Sequence, residues 1–197
     1  MTDASQTIRD NLRRVRERIA AACERVGRPS SDVALVAVTK YVDAETARWL
    51  VDSGCHDLGE SRPQSLWDKA AALADLDVRW HQIGHLQRNK VRRTLPHLHL
   101  MHSLDSPRLM ATIDAEATAI DRTVDVLLEV NISGDASKHG LAPEDLPAML
   151  EQAAACAHVR VRGLMAMEGR ETDQHTPQRQ FTGLRTLRHQ LQASATV

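Results

Sequence analysis

Aromatic residues are scarce: the chain has three tryptophans, one tyrosine and one phenylalanine in 197 residues. So few rings leave little from which to build base-stacking platforms, and RNA recognition is poorly supported. Cysteine is equally sparse. Cys23, Cys55 and Cys156 are odd in number, widely separated and outside any C-x-x-C pattern, which argues against a disulfide framework or a thiolate metal cage. They read as small buried fillers in a reducing cytosol. Neither sign of charge dominates. A formal net charge of -1 and a pI near 6.8 give no electrostatic case for nucleic acid or an anionic membrane as the principal partner, and specific small-molecule binding is favoured instead. Long hydrophobic runs are also missing: no stretch approaches the roughly 20 apolar residues needed to cross a bilayer. The polar start turns directly into a charged helix, so the expectation is a cytoplasmic protein with no membrane anchor.

What is present is 42% hydrophobic and 26% charged residues, enough for one sizeable core and, by default, one domain over residues 1–197. Ile8, Leu12, Val15, Ile19, Cys23 and Val26 keep a spacing of three or four and predict an amphipathic helix from about Ser5 to Val26. The run Val33 to Val38 predicts a strand. Asp43 reads as the N-cap of a helix that stops at Gly54, and a second strand reaches Leu58-Gly59-Glu60. Ser61-x-x-Gln64 has capping-box form and opens a helix to about Ala74. A strand at Val78 to Ile83, a basic helix from about Leu86 to Thr94, a strand at Leu100 to Leu104 and a helix behind Asp105-Ser106-Pro107 follow. Val124 to Val130 reads as a strand buried on both faces. A helix at Glu144 to Ala157, a strand at Val159 to Met165, a polar loop at Gly169 to Gln174 and a helix behind Thr176-Pro177 complete the pattern. Strict alternation with short loops implies parallel strands with right-handed crossovers, hence an open doubly wound sheet or a barrel. Periodicity alone does not choose between these.

If the strands lie as read, their C-terminal ends carry Lys40, Glu60, the segment His81 to His85, Ser103, Asn131, and Met165 with Met167. In a barrel those ends converge on one functional rim. Lys40 leads the set, because a strand-end amine can condense with a carbonyl cofactor. Taken alone, a lysine there is usually a solvated surface charge, and most of the other polar groups would simply satisfy loop backbone. His81 and His85 are four apart and His97, His99 and His102 lie close in sequence, but no carboxylate or thiolate is placed to complete a shell, so no metal site is expected. The basic run Arg88, Lys90, Arg92 and Arg93 reads as a solvated helix face.

Together, Ala37-Val38-Thr39-Lys40, Leu58-Gly59-Glu60-Ser61, Arg79-Trp80-His81-Gln82-Ile83-Gly84-His85-Leu86-Gln87-Arg88-Asn89-Lys90, His102-Ser103-Leu104-Asp105-Ser106, Glu129-Val130-Asn131-Ile132-Ser133-Gly134, Ser137-Lys138-x-Gly140 and Arg162-Gly163-Leu164-Met165-Ala166-Met167 resemble the pyridoxal phosphate homeostasis protein family. That family is itself similar to the N-terminal barrel domain of alanine racemase. The resemblance covers essentially the whole chain. It implies a TIM-type α/β barrel that binds pyridoxal 5'-phosphate as a Schiff base on Lys40, with Glu60, Ser61, His81, Asn131 and Met165 as further cofactor contacts and no metal. It also implies vitamin B6 homeostasis in the cytoplasm rather than turnover. The partners it implies are the cofactor and apo-enzymes that receive it, with no nucleic acid or membrane, and the complete form is expected to be a monomer. The alternative is a pyridoxal phosphate-dependent racemase-like enzyme acting on amino acids. That chemistry needs a second acid-base group on the opposite cofactor face, normally a tyrosine from a second domain, and Tyr41 lies directly beside Lys40. A lowered Lys40 pKa from partial desolvation is a further expectation.

Two departures from the family pattern stand out. Ser61 occupies the place of the usual asparagine. Family members also continue beyond the sixth strand-helix unit into strands seven and eight, which the resemblance credits with the phosphate cradle and an arginine partner for the pyridine nitrogen. A chain lacking them is expected to be a truncated barrel that holds the cofactor more weakly than a complete member.

Overall fold

The computed structural model describes residues 3–133, 139–167 and 176–194, and strands alternate with helices along them. The Gly169 to Gln174 loop and the Gly134 and Ser137-Lys138 portion of the family pattern lie outside the described residues. Two compact units are present, Met1–His81 and Gln82–Val197, and each builds its own hydrophobic cluster.

In the first unit, α1 spans Asp3–Glu24, β1 Ala37–Val38, α2 Ala44–Asp52, β2 Asp57–Glu60, α3 Pro63–Ala72, and β3 begins at Arg79. The strand expected from Val33 shrinks to two residues. Only Ala37 and Val38 find partners, Leu58 and Gly59 of the parallel β2, whereas Val33 is spent capping a 3-10 turn at Ser30–Asp32. Asp43 is the N-cap of α2, its side chain accepting from the Thr46 N–H at 2.8 Å, and Gly54 follows that helix at φ +80°. The expected cap at Ser61 is displaced by one residue. Arg62 occupies the N-cap position without a side-chain cap bond, and Pro63 fills the first turn, where its missing N–H costs nothing. Ala47 and Val51 of α2, Leu58 of β2, Leu66 and Trp67 of α3, and Trp80 of β3 pack into one cluster.

In the second unit, β3 ends at Gln82, α4 is the short helix Val91–Thr94, β4 Leu98–Leu104, α5 Pro107–Thr118, β5 Val124–Glu129, α6 Leu146–Ala155, β6 Val159–Met165 and α7 Thr176–Ser194. The expected basic helix from Leu86 is broken into a 3-10 turn at Arg88–Lys90, α4, and a second 3-10 turn at Leu95–His97, where Pro96 stops propagation. β5 pairs in parallel with β4 and β6. Val124, Val126 and Leu128 alternate into the core with Met101, Leu104, Ile113 and Leu146, while Leu184, Leu187 and Leu191 of α7 pack against that cluster. Burial of one such leucine is worth roughly 1.5–3 kcal/mol.

Candidate functional site

Lys40 is exposed, and it does not lie in the strand itself. It stands at the second position of a β-turn closed by the Thr39 carbonyl accepting from the Val42 N–H at 3.1 Å. Its Nζ lies 5.1 Å from the centre of the Tyr41 ring. The desolvation expected for a strand-end amine is therefore not supplied by the described residues of the first unit; what they supply is a rigid base for the turn. Thr39 is fully buried. Its N–H donates to the Gly59 carbonyl at 2.9 Å, and its hydroxyl donates to Glu60 Oε1 at 2.7 Å. The same Thr39 carbonyl that closes the turn also accepts from Lys69 Nζ at 2.6 Å.

Lys69 completes the arrangement by pairing with Glu60 Oε1 at 2.5 Å, with both side chains buried. Such a pair survives burial only because hydrogen bonds accompany the charges. Glu60, expected at a cofactor, is thus engaged by the protein. Leu58 and Glu60 share a strand face by the two-residue period, and Leu58 lies in the core, so that face meets α3. Among the described residues, Glu60 Oε2 is buried with no hydrogen-bond partner. Sequence reading missed Lys69. The available signal was its place between Leu66 and Leu73 at helical spacing, a lysine on an apolar stripe.

His81 is buried and leans back toward the start of β2, its Nε2 3.0 Å from Asp57 Oδ1. Asp57 also accepts from Arg79 Nε at 2.8 Å and Nη2 at 2.6 Å. These guanidinium hydrogen bonds, with a smaller contribution from His81, hold the Asp57 carboxyl down to about 2. Ser61 is half-buried directly after β2.

The remaining predicted residues belong to the second unit. Asn131 is half-buried, its side-chain oxygen accepting from Ser133 Oγ at 2.9 Å, and its N–H donates to the Leu141 carbonyl at 2.9 Å. Met165 ends β6, and its carbonyl accepts from the Val130 N–H at 2.8 Å. Met167 is exposed. Ser103 is buried and donates to the Gly84 carbonyl at 2.7 Å.

The alternating elements and the lysine-bearing turn can be set beside known proteins. Residues 5–197 match the model of the alanine racemase N-terminal domain. The Pseudomonas aeruginosa pyridoxal phosphate homeostasis protein is 38% identical over 181 residues, which is 92% of this chain and 79% of that protein. The chain belongs to the pyridoxal phosphate homeostasis protein family. Among solved structures, a protein of unknown function from Bifidobacterium adolescentis superposes with a TM-score of 0.91 at 34% identity, covering 98% of this chain and 83% of that one. PipY of Synechococcus elongatus, solved with PLP bound, gives 0.80 at 35% identity over 92% of this chain and 84% of its own. The family fold is the TIM-type α/β barrel of the alanine racemase N-terminal domain. Among the described residues, no helix is long and apolar enough to cross a membrane.

Proposed function

We propose that this protein binds pyridoxal 5'-phosphate at Lys40 as a Schiff base and serves cytoplasmic homeostasis of that cofactor without turning over substrate. One observation carries the proposal: an exposed primary amine on a β-turn whose closing carbonyl is held by a buried Lys69–Glu60–Thr39 network. The amine fits an aldehyde ligand, since it is open to approach while its backbone is fixed, and the relatives' names and the PLP-bound PipY support that ligand. Glu60 then acts on the cofactor through the turn, as a positioning residue. Ser61 and His81 in the first unit, and Asn131 and Met165 in the second, are carried as cofactor contacts by the family resemblance, and apo-enzymes as recipients by the same warrant. Bound pyridoxal phosphate brings an aldehyde that a lysine amine captures reversibly; the chain's own part is to present that amine.

The test is incubation with pyridoxal phosphate, borohydride reduction and peptide mass mapping, on the wild type and on Lys40→Ala. One pyridoxyl group on the Lys40 peptide, absent from the variant, is the expected result. An adduct mapping elsewhere in the wild type overturns the assignment. Alanine in deuterated water, assayed with the loaded protein, is expected to show no exchange at its α-carbon; exchange would establish the racemase-like alternative.

A further inference from the structure

In the second unit, three side chains from three separate segments meet. His85 follows β3, Asp105 follows β4, and His139 lies in the connection after β5; one ligand atom from each falls within 4.8 Å of the others. His85 Nδ1 is 2.8 Å from Asp105 Oδ2, and the two imidazoles stack with centroids 5.3 Å apart at 18°. One carboxylate and two imidazoles thus share one polar corner.

The backbone presenting these groups is held at both ends. The Gly84 carbonyl, next to His85, accepts from Gln82 Nε2 at 2.9 Å and Ser103 Oγ at 2.7 Å, and both donors are buried. On the other side the Leu141 N–H donates to the Glu129 carbonyl at 2.7 Å and the Leu141 carbonyl accepts from the Asn131 N–H at 2.9 Å. Gly140 sits between at φ +111°, and a Cβ there would fall 2.7 Å from the Asn131 nitrogen. The turn that carries His139 therefore requires glycine beside it. A site whose ligands stand on pinned backbone loses little entropy on closing around an ion.

We propose that His85, Asp105 and His139 form a binding site for a divalent first-row transition ion such as zinc or cobalt. Two imidazoles and a carboxylate suit borderline ions, and three protein ligands leave a coordination position open to water or an anionic ligand. The sequence places no carboxylate near His85; the parallel strands bring Asp105 there. The site does not depend on the cofactor proposal, because it uses neither Lys40 nor any residue of the first unit.

Cobalt chloride titrated into the full chain free of pyridoxal phosphate, followed by visible d–d absorption and then displaced with zinc chloride, tests the site. One equivalent taken up and displaced by zinc is expected. His139→Gln and His85→Gln, both at exposed positions, are expected to keep the wild-type circular dichroism and lose at least roughly tenfold in affinity, with Asp105→Asn behaving alike. No uptake by the wild type, or uptake unchanged in both histidine variants, overturns the proposal.

Discussion

In the first unit the clustered polar groups, beneath the exposed Lys40, are dry: Lys69 and Glu60 form a buried pair under its turn. In the second unit they are wet, with His85 and His139 in solvent around a half-buried Asp105. The difference teaches what each cluster can do. A buried ion pair cannot exchange partners without desolvation cost, so it serves as a fixed support for a neighbouring group. An exposed histidine–carboxylate set costs little to rearrange and can accept a ligand in place of its internal hydrogen bond.

Breaking the dry cluster should have the largest effect. Lys69→Met leaves Glu60 charged and uncompensated, and denaturant unfolding should show a loss of about 3–5 kcal/mol. The double variant Lys69→Met with Glu60→Leu should recover most of it. A double variant as unstable as the single one would mean that Lys69 contributes through its bond to the Thr39 carbonyl and its packing rather than by compensating Glu60. Next comes Gly140→Ala in the second unit, where a positive φ and the close Asn131 backbone should cost about 3 kcal/mol in the same assay, and the cobalt affinity should fall with it.

Asp57 supplies a smaller and pH-dependent effect. Its carboxyl is held below the ordinary 3.8, at about 2, so its contribution is present above pH 4 and is lost as pH falls toward 2. Asp57→Asn should remove about 1–2 kcal/mol at neutral pH, after allowance for the half-exposed Arg79. It should also flatten the acid limb of the stability profile between those values. An acid limb unchanged by the substitution would mean that the Arg79 pairing does not persist in solution. The smallest effect is expected at Lys40. Its exposed side chain can be cut to alanine with a change within about 0.5 kcal/mol, even as the trapped adduct disappears, so the two lysines of the first unit separate support from chemistry.

Much of the architecture was legible because it is written locally. Asp43 and Ser106 mark helix starts through side chains that cap the N–H groups of the next turn, and the strands at Val124 and Val159 begin where they were expected, although β5 buries only alternate residues and β6 only Val159. Lys40 could be singled out from its position after an apolar run. The short β1 was not legible, since its length depends on how far β2 runs alongside it, and neither was the 3-10 turn at Arg88–Lys90 that interrupts the expected basic helix. Glu60 was named as a strand-end group, but its partner was not.

By itself, then, the sequence determined the alternation of strands and helices, the lysine after the first strand and the family to which the chain belongs, because propensity, capping and motif spacing act over a few residues. Tertiary structure alone decided that Lys69 turns inward to Glu60 and Thr39, and that His85, Asp105 and His139 meet. Those pairings depend on which helix face meets which strand face, and on parallel strands that bring segments tens of residues apart to neighbouring ends.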